Sequence, residues 1–358
     1  MRRAMVPVLA VLMVAAVLAA TPNDPYSPRR LKALRAEGPG GLQRLIDENA
    51  EVLKRGPDLG GSSWRNAVAA IDTVAAQRDA WASKIYWYTD LDQAKAAAAR
   101  EGKPILSLRL LGNLDTDLSC ANSRFFRTTL YPDPRVNTPL REKFIMHWSS
   151  ERPVPVVTVD FGDGRTMKRT VTGNSIHYVL DEHGRPLDAL PGLYSAAEFI
   201  KRLNESLALA AEKPSDSRLR EWHATAVANA DAGPPPAMVQ EAFAPEVVAV
   251  ARAKAAAGPN ARIAGLRTMS KVRVEDPLLR VLATLQSSVG QETIQNEYNL
   301  HRQIHQWFAT GQPIVRDFES LNQRVYSELF LTPRSDPWLG LVPPDAYPAL
   351  DGDGLARN

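Results

Sequence analysis

The apolar positions along the chain change rhythm twice. Over residues 21–83 they recur at partly helical spacing. Leu42, Leu45, Ile46 and Leu53 form one set, and Val68, Ile71, Ala75 and Trp81 after Trp64 form a second. Gly56 to Gly61 interrupts the two, and a Pro-rich linker over residues 21–30 precedes them. Over residues 84–207 strand and helix signals alternate. Ile85-Tyr86-Trp87-Tyr88 is aromatic and β-branched and predicts an extended segment. Asp90 caps a helix through Arg100, with Gly102 as its stop, and Ile105 to Leu108 reads as a short buried strand. Ser119 caps a helix carrying Phe125, Phe126 and Leu130, and Phe144 to Trp148 is a strand. Residues 154–159 and 166–171 flank Phe161-Gly162-Asp163-Gly164 as a hairpin, His177 to Leu180 is another strand, and residues 196–207 form a helix. Residues 208–331 are Ala-rich and helical in pattern, punctuated at Gly233-Pro234-Pro235-Pro236 and Gly258-Pro259. Residues 332–358 form a Pro- and Gly-rich tail without periodicity. The alternation predicts an α/β fold: a central sheet with flanking helices, plus N-terminal and C-terminal helical extensions.

The first twenty residues read differently. Arg2 and Arg3 precede an unbroken apolar run over residues 4–20 that ends in small residues and contains Pro7. The run is shorter than the roughly 20 residues of a spanning helix, so a cleaved secretory signal is expected. The protein is then exported, periplasmic or secreted. An uncleaved anchor is the alternative and the only route to a membrane association. Of 358 residues, 44% are hydrophobic and 23% charged, which excludes a wholly disordered chain. A net charge of +3 without a long basic run gives no case for a nucleic-acid partner. The single cysteine excludes an intrachain disulfide. No Gly-x-Ser-x-Gly, phosphate loop or dinucleotide fingerprint is present.

Several stretches of residues 84–207 resemble the thioredoxin-like family. Asp90-Leu-Asp-Gln-Ala-Lys-Ala-Ala-Ala-Ala-Arg-Glu-Gly-Lys-Pro-Ile-Leu looks like the family's helix–strand opening. Asp133-Pro134-Arg135-Val136 and the strand from Lys143 follow, and Tyr178-Val-Leu-Asp-Glu-His-Gly-Arg-Pro-Leu with the helix from Ala196 resembles its closing hairpin and helix. The resemblance places the active site at Cys120-Ala121-Asn122-Ser123, a Cys-x-x-Ser variant of the family's Cys-x-x-Cys. Ser119 stands where the family has an aromatic residue, and Asn174-Ser175 where it has the cis-proline that shapes the substrate groove. A Cys120 thiolate at a helix start, near Arg124 and Arg127, is a nucleophile for disulfides. Ser119 and Asn122 would shape the helix start and Ser123 would donate to the sulfur. Ser123 cannot resolve a mixed disulfide, which leaves monothiol exchange or isomerisation on protein thiols or disulfides. The alternative is a small core cysteine in a redox-inactive module that holds a protein partner.

A second constellation lies in the helical region. Glu297, His301 and His305, spaced i, i+4, i+8, share one helix face and suit a transition metal. The alternative needs no cofactor: Tyr298, Ile304, Trp307 and Phe308 mark a buried side, where these residues would hydrogen-bond between helices.

Overall fold

The computed structural model describes residues 24–171, 173–242 and 287–339. The apolar N-terminal segment, Gly258-Pro259 and the tail beyond residue 339 lie outside the described residues. Three helices open the described chain: α1 (Pro28–Ala36), α2 (Pro39–Glu48) and α3 (Ala50–Ala75), the last kinked at Gly56 and Gly61. Their apolar faces meet in a small cluster around Leu34, Leu45, Ile46, Ile71 and Val74. The helix that begins before Trp64 ends earlier than its spacing suggests. The buried Asp72 carboxylate accepts the Ala80 N–H at 2.9 Å, Ala76 turns left-handed, and Trp81 falls on the separate α4 (Ala80–Ser83).

Ile85 to Tyr88 runs extended and meets the sheet edge at Tyr88, whose N–H donates to the Met146 carbonyl at 2.8 Å. Asp90 accepts the Gln93 N–H to start α5 (Leu91–Glu101), and Gly102 ends it with a φ of 63°. A four-stranded sheet follows in the order β2-β1-β5-β6. It comprises β1 (Ile105–Leu111), β2 (Ile145–Arg152), β5 (Ser175–Leu180) and β6 (Pro186–Pro191). β2 runs parallel to β1, while β5 is antiparallel to β1 and to β6. The parallel pair needs a crossover. It is supplied by α6 (Ala121–Phe125), a π-helical continuation (Phe126–Leu130) and α7 (Pro134–Lys143). Strands β1, β5 and β6 are buried along their whole length because helices cover both faces of the sheet. α5 packs on β1 and β2, and α8 (Ala196–Ala211) packs on β6.

Beyond α8 come α9 (Asp216–Asp231), α10 (Pro236–Ala242) and α11 (Ser287–Gln295). A π-helical stretch (Asn296–His301) continues into α12 (Arg302–Ala309), followed by α13 (Phe318–Arg324) and a π turn (Val325–Leu329). Ile304, Trp307, Phe308, Phe318, Leu321 and Tyr326 join the apolar core of the sheet, so these described helices share its core. The start of the tail is fastened too: Arg152 donates to the Asp336 carbonyl at 2.6 Å.

The hairpin of β3 (Val156–Asp160) and β4 (Thr166–Thr170) forms its own two-stranded sheet. Val156, Val157, Val159 and Phe161 are 46%, 40%, 37% and 55% exposed. Val157→Lys is therefore expected to change folding stability by less than about 0.5 kcal/mol. A thermal melt checks this, and a loss several times larger would mean that the hairpin packs more tightly than its exposure implies.

Candidate functional site

The chain leaves β1 at Leu111, and the Cys120 N–H returns to the Leu111 carbonyl at 3.2 Å. This hydrogen bond holds the start of α6 against the end of the strand. Cys120 itself, not Ser119, is the N-cap. Its Sγ accepts the Ser123 backbone N–H at 3.4 Å. The Ser123 hydroxyl lies 2.7 Å from Ser119 Oγ and 2.8 Å from the Cys120 carbonyl oxygen. Asn122 Nδ2 donates to Ser175 Oγ at 3.1 Å, which ties the helix start to β5. Arg124 is taken up by the Ser119 carbonyl and Thr170. Arg127 turns to the carbonyls of Thr116 and Asp117.

The cluster expected around the thiol is thus assembled, but it is sealed. Cys120 has no exposed surface, and burial pushes its thiol above the ordinary value against the hydrogen bonds of Ser123 and the charge of Arg124. An exposed, acidic thiol is not what this arrangement makes. The C-terminal segment reaches the neighbouring Asn174. Tyr326 is buried within electrostatic range of Cys120. Its hydroxyl donates to the Asn174 carbonyl at 3.4 Å, and Asn174 Nδ2 donates to Thr332 Oγ1 at 3.1 Å. Asn322 bonds both Tyr178, at 3.1 Å, and Glu151, at 2.7 Å. Asn174, matched to the substrate groove, is therefore occupied by the chain's own C-terminal segment.

The histidine constellation is also assembled, with partners that spacing did not reveal. Glu297 Oε2 accepts from His301 Nδ1 at 2.9 Å, and Arg202 holds Glu297 from behind at 3.0 Å. The other nitrogen of His301, Nε2, reaches Asp188 Oδ1 on β6 at 2.8 Å. Both ring nitrogens thus face carboxylates. Against burial, Asp188 and Glu297 raise His301 to a pKa of about 10, so the ring is an imidazolium at neutral pH. Burial alone would raise Asp188, but the charge of His301 brings it below the usual carboxylate range. Glu297 also has a lowered pKa: His301 and Arg202 outweigh its burial.

His305 does not touch Glu297. It stacks near His301 with ring centroids 3.9 Å apart, and its Nδ1 lies 2.7 Å from His223 Nδ1 on α9. His223 Nε2 lies 2.9 Å from the Leu187 carbonyl, which can only accept, so that nitrogen carries the proton. Burial lowers the His223 pKa to about 4, so the ring is neutral and its Nδ1 is a bare acceptor. His305 Nδ1 then donates, and burial followed by the His301 charge keeps that ring neutral as well.

Asp188, His301 and His305 present donor atoms within 4.8 Å of one another and could hold a metal ion. Glu297 instead backs His301 from its far nitrogen. A cleft of about 510 Å³, lined by Arg202, Trp222 and Tyr298, reaches His301 and His305. Asp188 had one local signal, a lone carboxylate inside the apolar strand Pro186-Leu-Asp-Ala-Leu-Pro, since unpaired acids are rarely buried. His223 had none, because its neighbours in the cluster lie on other elements. No protein-family model and no curated protein matches this chain, which leaves its own residues as the ground for a functional reading.

Proposed function

We propose that the chain is an exported thioredoxin-like module that holds a protein partner and does not exchange disulfides. The thioredoxin-like part is supported by Cys120 following β1 at a helix N-cap, and by the β5–β6 hairpin closing into α8. Export is supported by the apolar segment after Arg2-Arg3. The observation that carries the functional reading is the fully buried Cys120, with its thiol pushed up and Asn174 occupied by Tyr326 and Thr332. The surface on offer is the β3–β4 hairpin, whose exposed valines and open strand edges suit pairing with an added strand.

Alkylation tests this reading. Native protein is expected to label at Cys120 at least about 10³-fold more slowly than protein in urea, because the thiol reacts only after opening. Labelling at comparable rates would overturn the proposal and restore monothiol exchange through Cys120. A partner captured by the wild type should survive Cys120→Ser and be lost with Val157→Lys. The reverse pattern would again point to the thiol.

A second reading is favoured by the Asp188, His301 and His305 group: the protein carries a divalent transition metal beside the sheet. Metal analysis of protein purified without chelator tests it.

A further inference from the structure

The metal reading rests on three residues, but the donor atoms continue to a fourth. Asp188 Oδ1 is 2.8 Å from His301 Nε2 and 3.9 Å from His305 Nδ1, which in turn is 2.7 Å from His223 Nδ1. The four come from β6, the π-helical stretch, α12 and α9. We infer that Asp188, His223, His301 and His305 form a closed, four-ligand site for a divalent ion of the zinc class, fastening the helical cover to the sheet. This inference rests on the metal reading above and adds to it the fourth ligand and a structural role.

The outer partners carry the argument furthest. A histidine that binds a metal through one nitrogen usually donates the other N–H to a carboxylate or a main-chain carbonyl, which fixes its orientation. His301 has Glu297 on Nδ1 and so presents Nε2 to Asp188. His223 has the Leu187 carbonyl on Nε2 and so presents a bare Nδ1 to His305. Both rings are therefore already oriented as ligands. Three imidazoles and one carboxylate match zinc, or cobalt as its spectroscopic substitute. All four residues are buried, at 0 to 3% exposure. A site of this kind has no open position for substrate, which distinguishes a structural site from a catalytic one. The cleft reaching His301 and His305 is the route of entry.

The proton balance is simple. The ion displaces the Nε2 proton of His301, which becomes neutral and still donates from Nδ1 to Glu297. The proton on His305 moves from Nδ1 to Nε2. One proton is released for each divalent ion taken up. Metal–ligand bonds of about 2.0 Å set donor atoms about 3.3 Å apart, so the two close pairs open and His223 Nδ1, which stands outside the 4.8 Å group of the other three, moves in with His305.

The test uses the full chain, stripped with chelator and titrated with zinc against a chromophoric competitor, then with cobalt. One ion per chain is expected, with the intense visible absorption of four-coordinate cobalt. His223→Gln should weaken zinc binding by about 10²-fold and reduce that absorption. If the wild type takes up neither ion, the metal reading and this inference fall together. If His223→Gln binds zinc as tightly as the wild type with an unchanged cobalt spectrum, only the fourth ligand falls. Should the variant fail to fold, X-ray absorption of the wild-type cobalt protein decides: three imidazoles support the inference and two overturn it.

Discussion

Lowering the pH from 7 to 5 is expected to remove about 5 kcal/mol of folding stability. Four buried histidines are the cause. Burial, with a smaller contribution from Arg109, lowers His147 to a pKa of about 3. Burial lowers His177 to about 3 and His223 to about 4. His305 is held well below the ordinary value by burial and by the His301 charge. Unfolded, each ring takes a proton near pH 6.5, while the folded protein keeps it neutral. The unfolded state thus binds more protons below pH 6.5, so stability falls as the pH falls from there toward 4. Asp72 opposes part of the loss. Burial raises it to a pKa of about 6, so it takes up its proton first in the folded state. His301, raised to about 10, is already protonated in the folded state over this range, while its unfolded form takes up a proton near pH 6.5, so it also offsets a small part of the loss. Its own contribution is complete below about pH 6.5 and fades as the pH rises toward 10. The profile should therefore peak near neutrality. Urea denaturation at unit steps from pH 5 to 9 measures it, and His177→Gln should reduce acid proton uptake by about one. Stability that stays level or rises between pH 7 and 5 would show that these rings are not held neutral.

Asp188→Ala should cost about 3–5 kcal/mol, measured in chelator so that no bound ion contributes. The carboxylate accepts from His301 Nε2 and the Ala189 N–H through Oδ1, and from the Ser206 hydroxyl through Oδ2, each at 2.8 Å. Removing it strands an imidazolium with one carboxylate fewer at a buried position. The penalty is that of an uncompensated buried charge, which exceeds what the intact pair contributes over apolar residues. Tm should fall by roughly 10 °C. The alkaline arm of the stability profile should also shrink, since His301 loses the neighbour that raises it most. Asp188→Asn keeps an acceptor in the same place and should cost less, about 1–2 kcal/mol. A loss below 1 kcal/mol for Asp188→Ala would mean that His301 sheds its proton or its burial when the acid is removed.

Local patterning was enough for most of the central α/β region. The Asp90 cap, the Gly102 stop, the apolar run at β1, the hairpin turn and α8 are each specified by a few neighbouring residues, because caps, turns and strand periodicity are short-range effects. The same patterning set Cys120, Asn122 and Ser123 together at one helix start, and only the family resemblance put Ser175 beside them. It also paired Glu297 with His301, since an i, i+4 spacing on a helix is itself a contact. What it could not supply was burial and long-range partnership. Whether Cys120 is a nucleophile or a core residue depends on its desolvation, which the local sequence does not set. The histidine pair gained Asp188 from a strand and His223 from another helix only when the helical region closed over β6. Side chains more than a hundred residues apart meet because apolar surfaces bury one another, and those surfaces carry no local record of the polar groups they bring together. The charge state of each histidine follows from that meeting. Local spacing specified the ring positions, and tertiary packing decided which ring holds the proton.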